Sequence, residues 1–380
     1  MFKKIILLLI IIVLSVESVY GEEQLQLNAK SAILIDELTG RVLYEKNSRE
    51  KMANASTTKI MTCIVALEYG DIESVAEVSG YAASMPDVQL GMRQGEKYYI
   101  KDLLYSLMLQ SHNDSAVAIA EAVGGDVEGF AKLMNEKAKS IGANDTNFVT
   151  PNGLDNENHF TTAYDLALIS RYAMKNKKFV EIINTPEYSF SEINTGKNFS
   201  VNNKNAFLYQ MSGAVGIKTG FTGNAGYCFA GAVHEKNKKF ISVVLASGWP
   251  PHKEYKWADT KKLMNYGMEN YEYRMIYRGS DFKEYIEVKN GVRNQAELYA
   301  EGVENILMRG NEKTKILYNY PKETEAPIHK NQTLGNIEIY IDGEIYKSYY
   351  IKSRSEIEKR NFKWEFITVF RTFLLDFLQE

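Results

Sequence analysis

The chain changes character near Arg278, and that change limits what it can fold into. From Phe282 to Lys352, short β-prone runs alternate with turn signals such as Lys289-Asn290-Gly291 and Asp342-Gly343, with no convincing helix. Upstream, strand-like and helix-like apolar runs are mixed without strict alternation. An α+β unit over 22–277 and a small all-β unit over 278–353 are expected, and 380 residues suffice for both at roughly 150 per domain. The hydrophobic fraction of 45% excludes wholesale disorder.

Both ends differ from the middle. Lys3 and Lys4 precede an unbroken apolar run, Ile5 to Leu14, too short to span a bilayer. Val19-Tyr20-Gly21 offers small residues where a signal peptidase reads, and Glu22, Glu23 and Gln24 begin a polar stretch. Residues 1–21 are read as a removable export signal, with an uncleaved anchor as the alternative. At the other end, Phe366, Ile367, Phe370, Phe373, Leu374, Phe377 and Leu378 recur at the spacing of one helical face. Residues 354–380 are read as an amphipathic helix lying at a membrane surface, with Trp364 suited to the interface. The alternative is a helix docked on the protein's own core.

Charge and cysteine content narrow the partners. The net charge is −3, from 45 basic and 48 acidic residues, which argues against a nucleic-acid binder. Cys63 and Cys228 cannot build a disulfide framework or a four-ligand zinc site, and both fit small core positions. No zinc spacing, phosphate loop or dinucleotide fingerprint occurs, so neither metal nor cofactor is expected.

Within the larger unit, residues 29–45 read as a hairpin and 56–69 as a helix. Leu103 to Leu109, Asp114 to Val123, Val127 to Ile141 and Ala258 to Tyr266 also read as helical, while Gly226 to Val233 and Phe240 to Ala246 read as strands. Thr162-x-x-Asp165 resembles a capping box opening a further helix.

Three short patterns carry chemistry. Ser56-Thr57-Thr58-Lys59 puts a hydroxyl and an amine one helical turn apart. Orphan N–H groups at a helix start favour a developing oxyanion, and a buried lysine can serve a serine as general base. Alone the pattern is weak, because Ser48-x-x-Lys51 and Ser280-x-x-Lys283 match it too and read as surface coincidences. Ser111-His112-Asn113 sits in a polar break between apolar runs. Lys218-Thr219-Gly220 precedes the strand-like run from Tyr227, where a cation and a hydroxyl would suit a carboxylate. Taken singly, these read as helix caps and a turn.

Their order is more informative. Ser-x-x-Lys, Ser-x-Asn and Lys-Thr-Gly in sequence are the signature of penicillin-binding proteins and class A β-lactamases. The chain resembles the low-molecular-mass penicillin-binding proteins that are serine-type D-alanyl-D-alanine carboxypeptidases. Further segments extend the likeness over nearly the whole mature chain: Ser31-Ala32-Ile33-Leu34-Ile35-Asp36, Thr150-Pro151-Asn152-Gly153-Leu154, Thr161-Thr162-Ala163-Tyr164-Asp165-Leu166, Ala225-Gly226-Tyr227-Cys228 and Ala326-Pro327-Ile328.

The resemblance implies a penicillin-binding protein/β-lactamase-like transpeptidase fold with an antiparallel sheet and helices, followed by the small β-domain. It implies an exported hydrolase at the outer face of the cytoplasmic membrane that trims peptidoglycan stem peptides in cell-wall metabolism and is acylated by β-lactams. Ser56 would be the nucleophile, Lys59 its base and Ser111 a proton relay. Asn113 would hydrogen-bond the substrate backbone, and Lys218 and Thr219 the terminal carboxylate. Gly220 would allow close approach, and the N–H groups of Ser56 and Phe221 would form the oxyanion hole. Lys256 lies where some relatives place an arginine. Phe221 departs from members with histidine there, which puts histidine-assisted deacylation in doubt. His112 stands where small residues are common and reads as a solvated side chain, with a residue that narrows the cleft as the alternative. A β-lactamase of related fold and a non-catalytic envelope scaffold are the alternatives. The β-domain, the terminal helix and the missing Glu-x-x-x-Asn motif disfavour the first, and the intact motifs the second.

Overall fold

A computed structural model of the protein describes residues 25–378, so the export segment expected over 1–21 lies outside the described residues. The described chain divides into two units, one ending at Gly267 and one starting at Met268.

The first unit is built on a five-stranded antiparallel sheet. Its strands are β1 (Ser31–Asp36), β2 (Val42–Lys46), β3 (Ala214–Thr222), β4 (Gly226–Glu235) and β5 (Lys238–Leu245), in the order β2-β1-β5-β4-β3. These strands are nearly continuous apolar runs because the sheet is covered on both faces. Ile33, Ile35, Ile241, Val243 and Leu245 face the main helical core. On the opposite face, Leu34 and Phe240 meet Gly267 of the helix Tyr255–Asn270. Side-chain period two divides the two faces.

Helix α1 (Lys59–Tyr69) lies at the centre of the helical layer. It packs against α2 (Asn113–Gly124), α3 (Val127–Ile141), α4 (Ala163–Ala173) and the short helix Lys177–Asn184. Every residue of α1 from Lys59 to Ala66 is buried, as suits a helix enclosed on all sides. Cys63 belongs to this core, and both Cys63 and Cys228 are buried free thiols. Thr162 caps α4, its hydroxyl accepting from Asp165 N. The return half of the expected capping box is absent, because Asp165 instead accepts from Asp145 N and Thr146 Oγ1 at 2.7 and 2.8 Å.

The helix expected over Leu103 to Leu109 is two pieces. An α-helix, Ile100–Tyr105, gives way to a π-helical turn, Ser106–Gln110. Such turns insert a residue into the helical ladder and recur at functional sites.

The second unit has a six-stranded sheet with a core of Ile286, Val288, Leu298, Ile337, Ile339 and Ile351. A separate pair joins Glu272–Arg278 to Val303–Met308. That pairing draws residues 272–278 into the second unit, so the boundary expected at 278 falls earlier. Asp342 and Gly343, both at positive φ, make the tight turn between Thr333–Ile341 and Glu344–Ser353. The terminal helix, Phe362–Phe377, leaves Phe366 62% and Phe370 55% exposed. No helix among the described residues is long and apolar enough to cross a membrane.

Candidate active site

Ser56 lies in a 3₁₀ turn, Ala55–Thr58, that runs straight into α1. Ala55 at its start has φ +47, a left-handed conformation that costs an alanine about 1–2 kcal/mol. Buried hydrogen bonds hold this turn: Asn54 Nδ2 donates to Thr58 Oγ1 at 2.9 Å, and Thr57 Oγ1 to Asn54 O at 2.6 Å. One turn later the Lys59 side chain is fully buried and points back at the serine.

Lys59 Nζ lies 2.8 Å from Ser56 Oγ, 2.9 Å from Asn113 Oδ1 and 2.7 Å from the carbonyl oxygen of Asn152. Two of these three partners can only accept. Asn113 Nδ2 donates to Pro86 O at 3.0 Å, which fixes the amide with its oxygen toward Lys59. Burial pushes the Lys59 amine well below the ordinary lysine range; the Lys218 ammonium adds to the lowering, and the Asp114 carboxylate opposes it. A neutral amine donates two hydrogens and keeps one lone pair. In that form both hydrogens would go to the two permanent acceptors, and the lone pair would face the Ser56 hydroxyl.

Ser111 follows the π-helical turn with φ 72, again left-handed. Its Oγ is buried and has no hydrogen-bond partner among the described residues. Asn113 opens α2, and its N–H donates to Val88 O at 2.7 Å. The sequence reading gave the Asn113 carboxamide to the substrate backbone. In the structure its oxygen accepts from Lys59 and its Nδ2 donates to Pro86 O, so the side chain supports the lysine and keeps further donor and acceptor capacity. Fully buried Asp114 accepts from the N–H groups of Leu90, Gly91 and Met92 and so holds the loop beside Val88.

Strand β3 forms the facing wall. A Cβ at Gly220 would lie 3.1 Å from Ser56 N and 3.0 Å from Thr57 N, so this strand runs directly against the nucleophile turn. A cleft of about 470 Å³ opens between these elements, and Ser56, Ser111, Thr219, Gly220, Phe221 and Lys256 line it. Lys59, Asn113 and Lys218 are buried behind that wall, at 0%, 5% and 3% exposure. Burial brings Lys218 down to about 7, and its Nζ donates to Thr219 O at 3.1 Å. Lys256 is lowered to about 8, chiefly by burial. Its Nζ donates to Lys253 O at 2.6 Å and lies over the Tyr227 and Trp257 rings. Phe221 packs on Tyr227 with ring centroids 4.6 Å apart.

Residues 18–248 match the family model of the D-alanyl-D-alanine carboxypeptidases. The chain belongs to this family. Residues 271–359 match the penicillin-binding protein 5 C-terminal domain. The chain is 34% identical to D-alanyl-D-alanine carboxypeptidase DacF of Bacillus subtilis over 342 residues, covering 88% of this chain and 87% of that one. It is 30% identical to DacA of Escherichia coli over 354 residues, covering 89% and 85%. Penicillin-binding protein 5 from Haemophilus influenzae superposes with a TM-score of 0.75 at 26% identity, covering 89% of this chain and all of the other.

In this carboxypeptidase-family chain all nine expected residues gather at or directly behind one cleft. The other Ser-x-x-Lys matches do not. Ser48 is buried rather than on the surface, bonded to the Glu45 carboxylate, while Lys51 pairs with Asp145 at 3.4 Å. Ser280 is exposed, in the second unit. His112 corrects the sequence reading: it is 4% exposed rather than solvated. Sequence patterns also missed Lys204, Tyr227 and Trp257, which line the cleft, and the Asn152 carbonyl. A backbone oxygen has no side-chain signature.

The loop bearing Asn152 is held by two close fits. His159 Nδ1 accepts from Val149 N at 3.1 Å, so Nε2 carries the proton toward Thr58 Oγ1 at 2.8 Å. Gly153 has φ +81, and a Cβ there would lie 2.0 Å from Ala55 O. Gly153→Ala is expected to lower stability by about 2–3 kcal/mol and to slow covalent labelling of Ser56 by penicillin. Urea unfolding and timed labelling check both; a variant with unaltered stability and labelling would contradict the fit.

Proposed function

We propose that this chain is a membrane-anchored serine-type D-Ala-D-Ala carboxypeptidase that removes the terminal D-alanine from peptidoglycan stem peptides through an acyl-enzyme on Ser56. The observation that carries this reading is the 2.8 Å approach of the buried Lys59 amine to Ser56 Oγ, with the amine's other two contacts taken by acceptors.

Lys59 takes the hydroxyl proton as Ser56 Oγ bonds to the carbonyl carbon between the two D-alanines. The oxyanion accepts from the N–H groups of Ser56 and Phe221, each worth about 3 kcal/mol. The Ser111 hydroxyl, which has no competing partner among the described residues, relays a proton to the amine nitrogen as the C–N bond breaks and D-alanine leaves. Water then attacks the ester, one proton returns to Ser56 Oγ, and the shortened peptide departs. Lys218 and Thr219 bind the terminal carboxylate, with Lys256 beside them. Gly220 keeps the strand close to the nucleophile turn, and Asn113 hydrogen-bonds the substrate backbone while orienting Lys59. Phe221 follows Gly220, so no histidine at that position assists deacylation. A β-lactam carbonyl enters the same cleft and acylates Ser56.

Export through residues 1–21 brings the enzyme to the cell envelope. The exposed apolar side chains of Phe362–Phe377 support a helix lying on the outer face of the cytoplasmic membrane, rather than one docked on the protein's own core.

After penicillin treatment, mass spectrometry is expected to find an adduct on the Ser56 peptide of the wild type and none in Ser56→Ala. An adduct persisting in Ser56→Ala would remove the nucleophile assignment, and rapid penicillin turnover would favour the β-lactamase reading. Deleting residues 361–380 is expected to release an active enzyme from phospholipid vesicles in a sedimentation assay. Continued co-sedimentation would refute the anchor.

A further inference from the structure

Beneath the Ser-x-Asn motif lies a buried polar chain that the catalytic steps do not use. His112 Nδ1 lies 2.7 Å from Ser106 Oγ, and Ser106 Oγ lies 2.8 Å from Ser115 Oγ. Both serines are fully buried. Ser106 opens the π-helical turn before Ser111, and Ser115 sits in the first turn of α2 after it. The imidazole therefore ties together the two elements between which Ser111 is held.

Burial pushes His112 down to about 4, with Asp114 opposing and Lys59 and Lys218 adding to the shift, so the ring is neutral near pH 7. Two sets of proton positions satisfy the chain: Ser115 donates to Ser106 and Ser106 to Nδ1, or Nδ1–H donates to Ser106 and Ser106 to Ser115. Among the described residues, no hydrogen bond fixes the Ser111 hydroxyl itself. Its place at the cleft comes from its backbone, which is in a region that L-residues with a side chain avoid. Such conformations persist only where their surroundings over-determine them. On the cleft side Asn113 N–H is tied to Val88 O, and on the buried side the tie is His112.

We propose that His112 is a positioning residue, whose contact with Ser106 holds the left-handed Ser111 hydroxyl where it meets the leaving group. The proposal rests on the carboxypeptidase reading. The residue acts through Ser111 and does not touch substrate.

The test is steady-state release of D-alanine from a peptide ending in D-alanyl-D-alanine, by the full chain and its variants. His112→Ala is expected to lower kcat by about 10- to 100-fold with KM changed by less than about threefold. His112→Asn places its amide oxygen where Nδ1 lies and is expected to recover most of the loss. His112→Gln, whose amide reaches toward Nε2, is expected not to. Ser106→Ala should match His112→Ala, and the double variant should lose no more than either alone. The proposal is overturned if His112→Ala keeps the wild-type kcat, if Gln recovers as much as Asn, or if the losses add. Should His112→Ala fail to fold, the Asn and Gln pair and Ser106→Ala decide. Wild-type activity in the same assay tests the carboxypeptidase reading separately.

Discussion

The Lys59 amine is surrounded by three oxygens in a space closed to water, and the site depends on that contact. Burial there disfavours the ammonium form and pushes the amine well below the ordinary lysine range. The three oxygens come from three places: the nucleophile turn, the start of α2 and the loop carrying Asn152. Lys59 is thus also a junction of the fold.

The surrounding architecture keeps that junction dry and rigid. Helix α1 is enclosed by other helices, and the sheet brings β3 against the opposite side of the nucleophile turn. Two left-handed non-glycine residues, Ala55 and Ser111, flank the reacting groups. Their strain is offset by buried hydrogen bonds around Asn54 and around His112, and the strained segments are the ones that present Ser56 and Ser111 to the cleft.

Some of this was legible in the sequence. The order of the three motifs pointed to the family, and helical period alone brought Ser56 and Lys59 together. The strands of the central sheet read as apolar runs because both faces are covered. What escaped was carried by atoms or geometry without a residue signature. The Asn152 carbonyl is backbone. The π-helical turn before Ser111 has no distinctive composition, so Leu103 to Leu109 read as ordinary helix. His112 read as solvated because a polar residue in a polar break looks exposed until Ser106, six residues earlier in the chain, is brought beneath it. The contacts of Asn113 to Lys59 and Pro86 also escaped, because they join residues distant in sequence. The domain boundary was displaced because Glu272–Arg278 pairs with a strand distant in sequence.

The most direct measurement is the titration of the Lys59 side chain itself, by nuclear magnetic resonance of isotope-labelled lysine, with the signal assigned by its loss in Lys59→Arg. Burial and the Lys218 charge should place its midpoint well below the ordinary lysine value of about 10.4. Lys218→Met, which removes the neighbouring charge and keeps the burial, should raise the midpoint part of the way back. A wild-type midpoint near the ordinary value would mean that Lys59 is an ammonium at neutral pH and does not take the Ser56 proton.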